Sequence, residues 1–155
     1  LLLLQLFLGA FTRHLEAGLA APDFPTVAGA WLPSWGESSL AVANAERQGM
    51  GLPAVTSLQL GVHICHRLFG YLLALIAIFL VVPKASNLNG YPFVRSGYRA
   101  FILLVILQIV LGISVILTGR VPLMATFHVV TGALLLGCCW LNFIRTTWVL
   151  RLSRD

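Results

Sequence analysis

The stretch that decides the fold is Gly61-Val-His63-Ile-Cys65-His66-Arg67-Leu-Phe-Gly70-Tyr-Leu-Leu73. It places two histidines and an arginine inside an apolar run from Leu58 to Val82, which is long enough to cross a bilayer. Ionisable side chains are costly inside such a run, so they indicate a functional site. Because imidazole is a common metal ligand, the histidines are the first candidates for that site.

The composition places the whole chain in a membrane. Its 155 residues are 59% hydrophobic and 10% charged, whereas a soluble domain carries about 25% charged residues. The net charge of +5 therefore reports membrane topology and does not indicate a nucleic-acid partner. The three cysteines all lie in predicted spans, where we interpret them as small buried apolar residues without a disulfide: Cys65, Cys138 and Cys139.

The apolar pattern predicts an all-α fold, an integral membrane four-helix bundle that forms one domain over 1–155. The four spans are predicted at about 1–17, 56–82, 100–117 and 122–146, with a long loop at about 19–55 that contains a short surface helix at 41–48. The first segment is shorter than the ~20 residues a span needs. Since the chain begins at Leu1 and not at Met, we expect that segment to be the end of a longer helix.

The basic residues predict the orientation. One side of the predicted spans carries Lys84, Arg95, Arg99, Arg145, Arg151 and Arg154, and the other carries only Arg13, Arg47 and Arg120. The positive-inside rule then places the 84–99 loop and the C-terminus in the cytoplasm. The 19–55 loop, which contains three of the five acidic residues, is expected outside the plasma membrane of a bacterium or archaeon.

An internal repeat relates the two halves of the chain. The matched patterns are Gln5-x3-Gly9 with Gln108-x3-Gly112, and His66-x3-Gly70-x-Leu72-Leu73 with His128-x3-Gly132-x-Leu134-Leu135. Each copy is a helical hairpin that starts in the cytoplasm, so the copies are parallel repeats about an axis along the membrane normal. His66 and His128 are therefore expected at equal depth, facing each other across the bundle.

Two facing imidazoles are what a six-coordinate haem requires, and bundles build cofactor sites from facing helices. The glycine one turn beyond each histidine would leave room for a flat ligand. One alternative is a pair of buried histidines that hydrogen-bond across helices, with the glycines serving close packing. Another is a zinc site, but the nearest further ligand, Cys65, points about 100° away from His66 around the helix.

Further polar side chains lie near the outer end of the predicted bundle and are candidate contacts to a haem or a substrate. Arg67 leans toward the outer surface, where it would meet a haem propionate or snorkel to the interface. Arg13 and His14 are propionate or substrate contacts, or ordinary helix-end cations. His63 shares a helix face with His66 and is an alternative ligand, a propionate partner or, the favoured role, a packed histidine.

These motifs together resemble the haem A synthase family, the membrane enzymes that convert haem O to haem A for cytochrome oxidase. The resemblance covers nearly the whole chain apart from the variable part of the long loop. It is carried by Gly9-Ala-Phe-Thr-Arg13-His14-Leu-Glu-Ala-Gly18-Leu-Ala-Ala-Pro22-Asp23-Phe-Pro25, His66-Arg67-Leu-Phe-Gly70-Tyr71, Leu107-Gln108-Ile-Val-Leu-Gly112 and Ala125-Thr-Phe-His128-Val-Val-Thr-Gly132-Ala-Leu-Leu135.

The resemblance implies one half of an enzyme with eight spans in two related four-helix halves. It implies oxidation of a methyl group of haem O to the aldehyde of haem A, with haem b as a bound cofactor and with His66 and His128 at the family's ligand positions. The implied partners are the lipid bilayer, haem, the second half of the enzyme or a second copy of this chain, and haem O synthase.

The chain departs from the family pattern at two places. The catalytic half has a glutamate where this chain has His63, so the resemblance is to the C-terminal, cofactor-holding half. Many members also have a loop cysteine pair where this chain has Ala21 and residues such as Val27, which removes a redox role for the loop. Catalysis by this half alone is left open, and the rival hypotheses are a non-catalytic b-type cytochrome for membrane electron transfer and an assembly subunit without a cofactor.

Overall fold

The computed structural model describes residues 1–81, 83 and 90–152. This part of the chain is organised around five α-helices: α1 (Leu2–His14), α2 (Glu37–Gly49), α3 (Ser57–Ile76), α4 (Pro92–Leu117) and α5 (Pro122–Leu152). A short 3-10 turn, Ala17–Leu19, follows α1, and a π-helical turn, Ala77–Val81, continues α3.

Three of the described helical segments are long and apolar enough to cross a membrane: Ser57–Val81, Pro92–Leu117 and Pro122–Val149. Most of their surface is apolar and exposed, as expected of side chains that face lipid. The prediction of an all-α integral membrane bundle is therefore confirmed. The first helix, α1, has only 13 residues and falls short of a full span, as the sequence predicted.

Several helix boundaries differ from the predicted ones. Helix α4 begins at Pro92 and not near residue 100, because proline fits the first helical position without losing a hydrogen bond. Arg95 and Arg99 therefore lie on a helix, although the sequence placed them in the 84–99 loop. Residues 84–89 of that loop, residue 82 at the predicted end of the second span, and residues 153–155 lie outside the described part of the chain.

The other differences are at the end of α5, in the surface helix and at the cysteines. Helix α5 continues to Leu152 instead of ending near 146, and α2 is longer at both ends than the predicted 41–48 helix. All three cysteines are free, but none is fully buried as predicted: Cys65 is exposed on α3, and Cys138 and Cys139 are half-buried.

Four helices form two antiparallel hairpins. Helix α1 packs on α3, and α4 packs on α5 over most of its length. The two hairpins meet where α1 contacts α5 and where the π-helical turn contacts α4. This is the arrangement predicted from the repeat, with α1 equivalent to α4 and α3 equivalent to α5.

A capping box fixes where α3 begins. The Thr56 hydroxyl accepts from the Gln59 backbone N–H at 3.3 Å, and the Gln59 side-chain oxygen accepts from the Thr56 N–H at 2.8 Å. The Gln59 amide also donates to the Leu15 carbonyl at 2.9 Å, just beyond the end of α1. The start of α3 is thereby tied to the end of α1, which sets the register of the histidines that follow.

The long loop folds into a small unit with its own core, which we call the cap (residues 17–55). Its core consists of Ala17, Ala20, Ala21, Val27, Ala28, Ala43 and Val55, packed on Leu60 and Ile64 of α3. Arg47 is only 6% exposed and donates to the carbonyls of Leu19, at 2.6 Å, and Pro53, at 2.9 Å. Small side chains and a buried arginine therefore give the cap a defined structure.

Candidate functional site

The structure brings His66 of α3 and His128 of α5 together at the centre of the bundle. Their ring centroids are 6.4 Å apart, and the ring planes are nearly perpendicular at 85°. Both side chains are half-buried. The pair is contributed by two different hairpins, so it depends on the association of the two repeats.

The spacing of the rings suits a shared metal. Two collinear metal–imidazole bonds of about 2.0–2.1 Å, each to a nitrogen roughly 1.1 Å from its ring centre, would separate the centroids by roughly 6.3 Å. The Nδ1 atoms of both rings are buried, and neither has a hydrogen-bond partner among the described residues. The ring spacing and the pair of imidazole donors therefore fit a six-coordinate haem iron.

Each histidine ring packs on a glycine of the other helix in its hairpin. A Cβ atom built on Gly9 would lie 3.2 Å from Cε1 of His66, and one built on Gly112 would lie 3.1 Å from Cε1 of His128. Contacts this short mean that a Cβ atom would fit only if the histidine ring moved by a few tenths of an ångström. The glycines of the Gln-x3-Gly motifs therefore allow the rings to lie against the helix backbone.

The glycines that follow the histidines accommodate the two glutamines. The amide nitrogen of Gln5 lies 3.2 Å from the Cβ position of Gly70, and that of Gln108 lies 3.3 Å from the Cβ position of Gly132. In each hairpin, the histidine of the second helix packs on the glycine of the first helix. The glutamine of the first helix packs on the glycine that follows the histidine. The sequence repeat is thus also a repeat of contacts. In this structure, amides fill the space that we assigned to a flat ligand.

The two glutamines were matched in the sequence, but no role was assigned to them. Gln5 donates from its amide nitrogen to the backbone carbonyl of His66 at 3.0 Å. The amide nitrogen of Gln108 instead lies 3.3 Å from ring nitrogen Nε2 of His128. The signal that could have identified them is the shared Gln-x3-Gly spacing beside the matched histidines.

Arg67 fastens the cap to α3. The side chain is 7% exposed and donates to the carbonyl oxygens of Asp23 at 3.0 Å, Pro25 at 3.4 Å and Thr26 at 3.0 Å. Its guanidinium carbon also lies 5.6 Å from the centre of the Phe24 ring. The sequence offered a propionate contact or snorkelling for this residue, and the structure directs its terminal nitrogens to the cap backbone.

The remaining candidates lie near the cap end of the bundle. His63 is 3% exposed, and the backbone of Ala17 lies beside its ring, but neither ring nitrogen has a well-formed hydrogen bond among the described residues. Arg13 and His14 are exposed on the last turn of α1. The structure therefore packs His63 beneath the cap and leaves the other two accessible.

We expect Arg67→Met to loosen the cap while leaving the bundle folded. Methionine keeps much of the buried volume but leaves three cap carbonyls without their donor, at a cost of about 2–4 kcal/mol. Limited proteolysis of the purified protein in mild detergent should then show faster cleavage within 17–55. The matched control is Arg13→Met, which removes an exposed arginine. Equal cleavage rates for the two variants would contradict the role of Arg67.

Asp23 organises the turn that Arg67 holds. Its carboxylate accepts from the backbone N–H groups of Ala28 at 2.9 Å and Gly29 at 3.0 Å. Both residues have positive φ, +51° and +75°, a conformation that costs an alanine more than a glycine. Burial alone would raise the pKa of Asp23, but hydrogen bonds from the Thr26 side chain and from the Gly29 and Ala28 backbone outweigh it, so the pKa is lowered from 3.8.

The lowered pKa predicts that acid weakens the cap. A carboxyl whose folded-state pKa is depressed contributes stability that is fully present above its unfolded pKa of 3.8 and is lost as the pH falls through the lower folded value. We therefore expect cap proteolysis by an acid-active protease to accelerate below about pH 4. In Asp23→Asn, the cap should be cleaved faster at neutral pH, and the cleavage rate should increase less as the pH falls. An unchanged acid dependence in that variant would assign the effect to another group.

The fold and this centre together define a class: an integral membrane helical bundle built from two repeated hairpins with a pair of facing histidines. The sequence profile of the COX15-CtaA family, described as cytochrome oxidase assembly protein, matches residues 1–140. This match covers most of the chain, and the chain belongs to that family.

Individual relatives agree with the family match. The chain is 32% identical over 125 residues to a protein named Heme A synthase from Roseobacter denitrificans, covering 81% of this chain and 30% of the relative. Proteins of the same name from Halalkalibacterium halodurans (32% identity; 90% of this chain, 40% of the relative) and Paracoccus denitrificans (30% identity; 80% and 30%) also match. The chain thus spans about a third of the length of these curated relatives. No solved structure matches it.

Proposed function

We propose that this chain is a haem A synthase-like oxidoreductase component that binds haem b between His66 and His128 and serves the conversion of haem O to haem A. The observation that carries the proposal is the 6.4 Å separation of two histidine rings from matched hairpins. The relatives named Heme A synthase support the same assignment.

The residues around the pair have distinct proposed roles. His66 and His128 would each supply a ring nitrogen to the iron, and bound haem b would supply one-electron transfer. The apolar bundle limits the access of water to the pair. Arg13 and His14, exposed at the cap end, are proposed propionate contacts, whereas Arg67 and His63 support the cap above the site.

The cofactor-holding role is favoured over independent catalysis. His63 stands where a carboxylate would help proton transfer, and its burial without a well-formed hydrogen bond suits packing better than proton exchange with solvent. We therefore infer that the reacting haem is handled by a second half of the enzyme or by a second copy of this chain, with haem O synthase as a further partner.

The proposed location is the plasma membrane of a bacterium or archaeon. The distribution of basic residues favours a cytoplasmic 84–99 segment and C-terminus, with the cap outside. Cysteine accessibility would test this orientation. Single-cysteine variants in the cap should react with a membrane-impermeant maleimide in intact cells, and variants in the 84–99 segment should react only after lysis.

The proposed function is tested in two stages. Purified protein loaded with haem b should show the sharp Soret and visible bands of a low-spin, six-coordinate haem. Membranes that contain the chain together with haem O, and the remainder of the enzyme where it exists as a separate chain, should form haem A, detected by chromatography of extracted haems. Failure to bind haem would overturn the proposal. Binding without conversion in any combination would reduce it to a membrane cytochrome.

A further inference from the structure

The two matched glutamines make different contacts with the histidines. Gln5 donates to the main chain of His66 and thus reinforces the helix around it. Gln108 places its amide nitrogen on the ring of His128, 3.3 Å from Nε2. The two amides are placed alike, since each amide nitrogen lies 3.2–3.3 Å from the Cβ position of the glycine after its histidine, although Leu6 also packs on Gly132. The two copies of the repeat therefore differ in the hydrogen bond that the glutamine makes.

That hydrogen bond fixes the position of a proton on His128. With the Gln108 amide oriented as in the structure, its nitrogen donates and Nε2 of His128 accepts with its lone pair. A neutral imidazole has one N–H, which places the proton of His128 on Nδ1. This is also the tautomer in which Nε2 can bind a metal, because a metal binds the nitrogen that carries the lone pair.

We propose that Gln108 is a positioning residue that holds the Nε2 lone pair of His128 and is displaced when iron takes it. The inference rests on the proposed haem site between His66 and His128. Gln108 and iron compete for the same lone pair, so the amide prepares the correct tautomer and at the same time weakens the net binding of haem. Gln5, which contacts only the main chain of His66, does not compete.

The competition predicts a gain of affinity on mutation. Gln108→Met keeps the length of the side chain but removes the donor, so haem no longer has to break a hydrogen bond to reach His128. We expect haem b to bind about 3- to 10-fold more tightly and to leave correspondingly more slowly, since a neutral hydrogen bond contributes an energy of that size. A residue that merely supported the fold would give weaker binding when replaced.

Three proteins are compared in the same detergent: the wild type, Gln108→Met and, as the matched control, Gln5→Met. Haem b affinity is measured by optical titration, and haem loss by transfer to an excess of apomyoglobin. In the haem-free proteins, 15N NMR of labelled histidines reports which ring nitrogen carries the proton. Gln108→Leu is a second donor-free variant for the case in which Gln108→Met is poorly folded.

The results separate this inference from the proposed function. Tighter, slower-leaving haem in Gln108→Met but not in Gln5→Met supports the inference, as does a change of tautomer confined to His128. Equal or weaker binding in both folded Gln108 variants overturns it while leaving the haem site intact. If the wild type binds no low-spin haem, the proposed function fails. The NMR comparison then still decides whether Gln108 holds the lone pair, and an unchanged His128 tautomer overturns that role.

Discussion

Replacing either His66 or His128 with alanine should abolish the spectrum of a low-spin, six-coordinate haem. The two rings come from separate hairpins and lie 6.4 Å apart, a spacing that two metal–imidazole bonds can span. Removing one ring leaves the iron with one protein ligand, so at most a five-coordinate, high-spin species should remain. We expect haem b affinity to fall by at least about 100-fold, which corresponds to roughly 2.8 kcal/mol.

His63→Ala is the matched control for this prediction. His63 lies on the same helix and is more deeply buried than His66, but it packs against the cap region. The variant should keep the low-spin spectrum, even if the protein is less stable. Optical spectra of reduced and oxidised protein, together with electron paramagnetic resonance, distinguish the outcomes. Loss of low-spin haem in His63→Ala but not in His66→Ala would show that the wrong histidine of α3 has been assigned.

Gly97→Ala should destabilise the second hairpin more than any other glycine-to-alanine change in it. A Cβ atom at Gly97 would overlap the side-chain oxygen of Asn142 and lie 2.8 Å from Nη1 of Arg145. Asn142 is 6% exposed and donates to the Gly97 carbonyl at 2.9 Å, so it cannot move away without losing that bond. Overpacking and the lost hydrogen bond together should cost about 2–4 kcal/mol.

Gly137 of α5 provides the control for this change. A Cβ atom there would meet nothing within 4 Å, so Gly137→Ala should be neutral or stabilising by about 0.5–1 kcal/mol through helix propensity. Unfolding of both variants in a mixed-micelle denaturant series, followed by helical circular dichroism, gives the two free energies. A Gly97→Ala protein as stable as Gly137→Ala would show that the hairpin is less tightly packed than described.

The bundle could be predicted because the length of the apolar runs gives the spans and the matched residue spacing gives their relation to one another. The run around His66 is long enough to span a bilayer, and the identical His-x3-Gly spacing at His128 places the two residues at equal depth once the copies are parallel. The relation between hairpins, and with it the facing pair, follows from these two features. The start of α4 was missed because Pro92 and the arginines after it are typical of a loop as well as of a first helical turn.

The contacts of Arg67 and of the glycines could not be predicted from residue types. The partners of Arg67 are backbone carbonyls, which every residue possesses, so no pattern of side chains indicates which loop segment receives it. The spacing of the glycines predicts that another part of the protein packs closely on them, but it does not identify the group that does so. At Gly70 and Gly132 that neighbour is a glutamine amide, and the flat ligand that we expected remains a proposal.

The two buried arginines are held by backbone carbonyl groups and not by carboxylates, so the stability of the cap should depend little on ionic strength. Arg47 and Arg67 both donate to carbonyl oxygens, at 2.6–3.4 Å, within a part of the protein from which solvent is largely excluded. Mobile ions screen charges over distances of about 8–10 Å and weaken exposed ion pairs, but they hardly reach a short hydrogen bond between a guanidinium and a peptide dipole. If the cap faces outward, its structure over the site should therefore be equally stable at low and at high salt concentration outside the cell.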